Sequence, residues 1–249
     1  MSSQLKGKVA LVTGGSSGIG TAIVQVFARE EAKIVFTYHR NKDGANTLVN
    51  ELQSQGREAI AYQAEVADLS RAKDIVKNTC EEYGTLDILV NNAGANRDKV
   101  IWKMSEEVWD EVIATDLKGV FNYIHTAAPV FRENKSGRII TVSSINALRG
   151  KFGQSNYTAA KAGVIGLSKS VAKELGRSGV TVNVVCPGLI NTKMIQNMPE
   201  DFKQAALDET VLGKIGTPED VAEIIAFLAS EKARHITGEV IKVDGGQYI

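Results

Sequence analysis

Tyr157 and Lys161 stand four residues apart. On a helix that spacing puts both side chains on one face, a turn apart. A free phenol, with a pKa of ~10, is a poor acid–base group at neutral pH, but a neighbouring ammonium, together with the positive nicotinamide of an oxidised cofactor, favours the phenolate and brings proton transfer toward physiological pH. Ser144 closes the apolar run RIITVSS (138–144). A hydroxyl there can donate to a carbonyl oxygen and steady the charge that builds on it. Proton donor, cation and oxygen-binding hydroxyl are what carbonyl reduction or alcohol oxidation needs, provided a hydride carrier sits beside them.

Taken singly, each residue has an ordinary use. Ser143 and Ser144 suit a strand-end turn, Tyr157 a core aromatic with a wet tip, and Lys161 a solvated helix charge. The reading rests on their company. TGGSSGIG follows the first apolar run, with Gly14, Gly18 and Gly20 leading into a helical pattern and Ser16, Ser17 and Ile19 between them. Glycine there permits a tight turn, close approach of backbone to a pyrophosphate and close helix packing, while the helix N-terminus offers free N–H donors. At the end of the second strand the chain reads Phe36-Thr37-Tyr38-His39-Arg40-Asn41, with no carboxylate to hold a ribose 2′-hydroxyl. Arg40 can pair with a 2′-phosphate, with His39 and Ser16 or Thr37 assisting, so the expected cofactor is NADP(H).

The elements that position these groups are legible as strand-length apolar runs alternating with helical patterns. Strands are expected at 8–14, 33–38, 58–66, 86–94, 138–144, 180–188 and 239–244, with helices at 20–30, 43–55, 70–83, within 105–134, and near 155–177 and 218–230. That alternation predicts an α/β, single-domain, Rossmann-type doubly wound fold over residues 1–249: a seven-stranded parallel sheet with helices on both faces. The strands are nearly continuous in apolar residues, as in sheets buried on both sides. The alternation lapses at 189–215, where a substrate lid with one or two short helices is expected. Ser105 is a candidate helix cap without an acid at Val108, whereas Thr217-Pro218-Glu219-Asp220 is the firmer helix start.

Lysine plus arginine equals aspartate plus glutamate at 29 each. No global field therefore favours nucleic acid or an anionic membrane. No basic-then-apolar leader opens the sequence and no apolar run approaches the ~20 residues of a membrane span, which gives a cytoplasmic expectation. Cys80 and Cys186, 106 positions apart, suggest neither a disulfide framework nor a zinc site. Together with His125 and His235, Cys186 is read as ordinary, and no metal is expected.

The ordered set Thr13-Gly14-x-x-x-Gly18-x-Gly20, Asn91-Asn92-Ala93-Gly94, Ser144, Tyr157-x-x-x-Lys161, Pro187-Gly188 and Val243-Asp244-Gly245-Gly246 resembles the short-chain dehydrogenases/reductases, specifically bacterial 3-oxoacyl-[acyl-carrier-protein] reductases, over essentially the whole chain. The resemblance implies that Asn92, Ala93 and Gly94 line the adenosine and ribose side. It places Glu65 and Val66 beside the adenine, where the family usually has Asp-Val. Pro187, Gly188, Ile190 and Thr192 would hold the nicotinamide carboxamide, and Tyr157 and Lys161 would also touch the cofactor. Asp116 falls where the family usually carries an asparagine that holds a water linked to the lysine. It is expected as the fourth catalytic group, with an altered relay, since a carboxylate cannot donate as an amide does.

The pocket is expected from 95–103, 145–156 and 189–215, with Ser144, Ile145, Asn146, Phe152, Gln154, Tyr157, Ile190, Met194 and Met198 near substrate. Lys135, Arg138, Lys169, Lys173 and Arg177 lie where the family carries a landing patch for an acidic carrier, although one basic position falls on Ser178. The resemblance also implies a homotetramer built on the helices at 105–134 and 155–177. The leading expectation is NADPH-dependent reduction of a 3-oxoacyl thioester, carried by acyl carrier protein or coenzyme A, in fatty acid metabolism. A broader ketone and secondary-alcohol oxidoreductase, or a nucleotide-binding regulator without turnover, stays open.

Overall fold

The structure, a computed structural model, describes residues 3–196 and 199–249, without the side chains of Met194 and Phe202. In chain order the elements are β1 (Val9–Val12), α1 (Gly18–Arg29), β2 (Lys33–Tyr38), α2 (Lys42–Ser54), β3 (Ala59–Gln63), α3 (Leu69–Tyr83), β4 (Ile88–Asn91), α4 (Glu106–Ile113), α5 (Gly119–Asn134), β5 (Gly137–Val142), α6 (Asn146–Arg149), α7 (Ser155–Leu175), β6 (Val180–Pro187), α8 (Lys193–Gln196), α9 (Glu200–Asp208), α10 (Pro218–Ala229) and β7 (Val240–Val243).

All seven strands pair in parallel in the order β3-β2-β1-β4-β5-β6-β7. This is the expected doubly wound sheet. Its strand order reverses between β1 and β4, where the carboxyl ends of neighbouring strands open a crevice. Every residue of β1, β4, β5 and β6 is buried. The edge strands β3 and β7 are only partly covered. One face packs Ile23, Phe27, Leu48, Leu52, Ile225 and Leu228 from α1, α2 and α10. The other packs Ile75, Val76, Tyr123, Phe131, Val164 and Leu175 from α3, α5 and α7.

Local chemistry sets the helix ends. Thr217 and Asp220 form a complete capping box, with Pro218 in the first turn. Ser105 does cap α4, accepting from the Val108 N–H at 3.4 Å, without the reciprocal acid. Asp68 caps α3 through the Arg71 N–H, and Gly84 closes it at φ 80°.

Two departures concern the site. The helical stretch expected within 105–134 is divided by one π-helical turn, Ala114–Lys118, between α4 and α5. Such turns widen the helix by a residue and recur at functional sites. Here the widening holds Asp116, which is fully buried. The short α6 was not anticipated, because four residues carry too little periodicity to register. Among the described residues, 189–215 holds two short helices, α8 and α9. Met198 lies outside the described residues.

Candidate active site

The glycine turn is built by close approaches. Gly14 and Gly18 take φ of 69° and 54°. A Cβ on Gly14 would stand 2.9 Å from Ala93 Cα, and one on Gly20 would stand 2.1 Å from the Gly14 carbonyl oxygen. Glycine at 20 therefore lets α1 begin directly above the turn. Ser17, the residue before α1, makes no side-chain capping bond, so the first N–H groups of the helix are left for an incoming anion.

Side chains from neighbouring strands clamp this turn. Thr13 Oγ1 accepts from the N–H groups of Asn92 (3.0 Å) and Ala93 (3.1 Å). Asn92 Nδ2 donates to the carbonyls of Thr13 and Gly14, each at 3.1 Å. Thr37 Oγ1 accepts from Gly14 N–H, and Asn41 Nδ2 donates to the Ser16 carbonyl at 2.7 Å. The stretch 92–94 thus abuts the glycine turn at the switch point. Asn41 was not singled out from sequence, although it also caps α2 through Gly44 N–H, a role its residue type signals.

At the end of β2, His39 and Arg40 are exposed, whereas Tyr38 is 8% exposed and packs in the core. The Tyr38 ring packs with the helices on one face of the sheet. Glu65 is exposed and Val66 buried, with the Val66 carbonyl accepting from Asn122 Nδ2 at 3.0 Å. Gly188 lies against Asp244, and Leu189 N–H donates to Gln247 Oε1 at 3.0 Å. Ile190 pairs with Gly216 and is 4% exposed. Thr192 stands near Gly18, its methyl 3.5 Å from where a Gly18 Cβ would be.

Ser144, Tyr157, Lys161 and Asp116 are brought together at the carboxyl edge of β5. Lys161 is 3% exposed, and its Nζ donates to the Val142 carbonyl at 3.0 Å and stands 3.2 Å from Asp116 Oδ2. It lies 5.7 Å from the centre of the Tyr157 ring. Ser143 Oγ donates to the Lys161 carbonyl at 2.8 Å, tying the strand end to α7. Ser144 Oγ accepts from Asn146 N–H at 3.1 Å, which turns the hydroxyl proton outward. Asn156, fully buried, accepts from Tyr157 N–H and donates to the Arg97 carbonyl, fixing the start of α7.

Burial pushes the Tyr157 phenol above its ordinary pKa, and Asp116 pushes the same way; the Lys161 ammonium and a hydrogen bond from Ser144 pull it down without prevailing. Burial pulls the Lys161 pKa down, but Asp116 and then Tyr157 outweigh it, so the ammonium is held charged. The phenol is held neutral chiefly by burial, against the Lys161 ammonium and with a smaller push from Asp116.

Beyond this cluster runs a polar chain that the sequence did not disclose. Asp98 accepts from Gln154 Nε2 at 3.1 Å, and Gln154 Oε1 accepts from Asn146 Nδ2 at 3.0 Å. Arg149 donates to Asn146 Oδ1 and to Glu209 Oε2, at the end of α9. Gln247 Nε2 also donates to Glu209, at 2.9 Å. Gln247 therefore ties α9 to the Leu189 backbone through one amide. Gln247→Ala is expected to cost about 1–3 kcal/mol in urea unfolding, the penalty for orphaning buried polar groups. An unchanged midpoint would show these bonds to be dispensable.

Of the expected landing patch, Lys135, Lys169, Lys173 and Arg177 are exposed. Arg138 is 7% exposed and paired with Glu231 at 2.9 Å. Lys173 is sixteen residues along α7 from Tyr157, about 24 Å at 1.5 Å per residue. Among the described residues, no group of three or more side chains could hold a metal ion, and no helix is long and apolar enough to cross a membrane.

Comparison with known proteins adds four findings. Residues 14–247 match the family model described as enoyl-(acyl carrier protein) reductase. A 3-oxoacyl-[acyl-carrier-protein] reductase FabG of Staphylococcus aureus is 45% identical over 97% of this chain and 98% of its own. Its Thermotoga maritima namesake is 42% identical over 99% and 100%. Nodulation protein G of Azospirillum brasilense is 40% identical over 96% and 97%.

Proposed function

We propose a reaction for this chain from a secure premise: it belongs to the short-chain dehydrogenase/reductase family and is an oxidoreductase. The reaction is NADPH-dependent reduction of a 3-oxoacyl thioester to the 3-hydroxyacyl thioester. The carrying observation is the convergence of Ser144, Tyr157 and Lys161 at the switch-point edge, with the phenol held neutral and the lysine charged.

The glycine turn fits a dinucleotide: a Cβ on Gly20 would fill the cradle, and the N–H groups at the start of α1 are uncapped by Ser17. Residues Gly14, Ser16 to Gly20, Asn92 to Gly94, Pro187, Gly188 and Thr192 would hold it, with Glu65 and Val66 at the adenine. The bound nicotinamide supplies the hydride. Ser144 donates to the substrate oxygen and stabilises the charge that develops there. Tyr157 gives that oxygen its proton, and Lys161 keeps a positive charge beside the phenol as the proton leaves. Asn146, Gln154 and the lid would border the acyl portion.

Arg40 is the basis for NADPH over NADH. A guanidinium bonding a 2′-phosphate contributes about 1.5–3 kcal/mol, so Arg40→Ala should raise the KM for NADPH about 10- to 100-fold and leave NADH unchanged. Equal effects on both cofactors would remove the basis for the preference.

The names of the FabG relatives support a thioester delivered by acyl carrier protein, with a coenzyme A thioester or a free ketone as the alternatives. The family's tetramer and a cytoplasmic location complete the reading, and light scattering tests the assembly. The primary experiment follows NADPH and NADH oxidation with acetoacetyl-CoA. Turnover with NADPH supports the thioester reading; turnover confined to free ketones would move it to the broader oxidoreductase.

A further inference from the structure

Asp116 is placed by the π-helical turn between α4 and α5 and is fully buried. Its Oδ1 accepts from the Ala95 N–H at 2.6 Å, and its Oδ2 stands 3.2 Å from Lys161 Nζ. A Cβ on Gly94 would lie 3.0 Å from that same Oδ2, so the backbone after β4 closes against the carboxylate. At 3.2 Å the contact is a direct ion pair, with no space for water between the two groups. Lysine and carboxylate together are near neutral, and a paired charge acts over a shorter reach than a lone ammonium.

The groups facing this centre come from several elements. Tyr157 lies on the same helix as Lys161, Ser144 follows β5, Cys186 comes from β6, Asp98 from the loop after β4, and Asp116 from the π-helical turn. Of these, the carboxylate in contact with Lys161 decides how much of the ammonium's field reaches the phenol.

We propose that Asp116 is a positioning residue whose direct ion pair with Lys161 keeps the Tyr157 phenol protonated, widening the pH range for proton delivery to a carbonyl and moving alcohol oxidation to more alkaline pH. The thermodynamic equilibrium is untouched; the pH range in which each direction has its required form of Tyr157 is what changes. The inference rests on the proposed reductase reading for its kinetic consequence, and on the geometry alone for its titration. The direction in which burial and Asp116 move the phenol agrees with it.

Asp116→Asn is the discriminating variant, because an amide oxygen can keep the Ala95 N–H bond while the charge is removed. The phenol is read directly, as the tyrosinate absorbance of each protein minus that of its Tyr157→Phe counterpart, without cofactor. Removing the carboxylate should lower the Tyr157 midpoint by about one pH unit or more, the range for a charge at this separation. The alkaline limb of the acetoacetyl-CoA profile should move down in parallel. Asp116→Ala should shift the same way, and thermal melts show which variants are folded. An unmoved midpoint in a folded neutral variant overturns the inference, even if kcat falls. If the wild type fails to turn over any carbonyl substrate, the reductase reading fails, while the absorbance titration still decides the role of Asp116.

Discussion

Tyr157→Phe loses about 10²–10⁴-fold in kcat with acetoacetyl-CoA and NADPH while binding NADPH as the wild type does, the loss expected when a positioned proton donor is removed. The substitution is nearly free of structural consequence. Tyr157 joins α7 through its backbone N–H, bonded to Asn156, and that bond is indifferent to the ring substituent. The ring's packing near Lys161 is retained, and the partly exposed position leaves the Ser144 hydroxyl able to turn to water or substrate. Hydride transfer without a proton leaves an alkoxide, which Ser144 alone stabilises incompletely. The effect therefore belongs to kcat and not to cofactor affinity, which fluorescence titration of NADPH can confirm. A variant retaining most of its activity would move the proton source to water or to another residue. A wild type that binds NADPH without turning over any carbonyl would leave the nucleotide-binding regulator as the reading.

Much of this arrangement was legible because its signals are local. Apolar runs such as those of β1 and β6 announce strands buried on both sides, and the glycines at 14, 18 and 20 announce a turn whose close approaches the structure bears out as geometry. What escaped depends on contacts distant in sequence. Thr37 and Asn41 clamp the glycine turn from more than twenty positions away, and Gln247 reaches Leu189 across 58. No periodicity encodes such bonds. A motif position locates the backbone of Ile190, while the packing of its side chain against Gly216 depends on a residue distant in sequence. Spacing within α7 reveals Lys161, and the resemblance placed Asp116 near it, but their direct contact depends on a π-helical turn that periodicity reads as continuous.

Lys161→Met should be the most destabilising single change at the site, and its pH dependence should carry the signature of Asp116. The thioether replaces the charged stem with a flexible apolar one, but leaves the Asp116 carboxylate fully buried without its cation. Breaking a buried pair from one side costs about 3–5 kcal/mol near neutral pH. Burial already raises the Asp116 pKa, and the ammonium is the chief force against it. Without Lys161, the folded state keeps a proton on Asp116 that the unfolded chain releases near its ordinary value of ~3.9. Folded protein then binds more protons than unfolded, so stability falls as pH rises from that value through the raised folded pKa. Lys161→Met should accordingly be closest to wild type in mild acid and fall progressively behind toward neutrality, as read by urea unfolding at a series of pH values. Adding Asp116→Asn removes the titrating group, so the double variant should recover stability near neutrality and lose the pH dependence peculiar to the single one. If Lys161→Met instead tracks the double variant at every pH, Asp116 carries no buried charge in the folded protein, and both the ion pair and the proposed control of Tyr157 fall together.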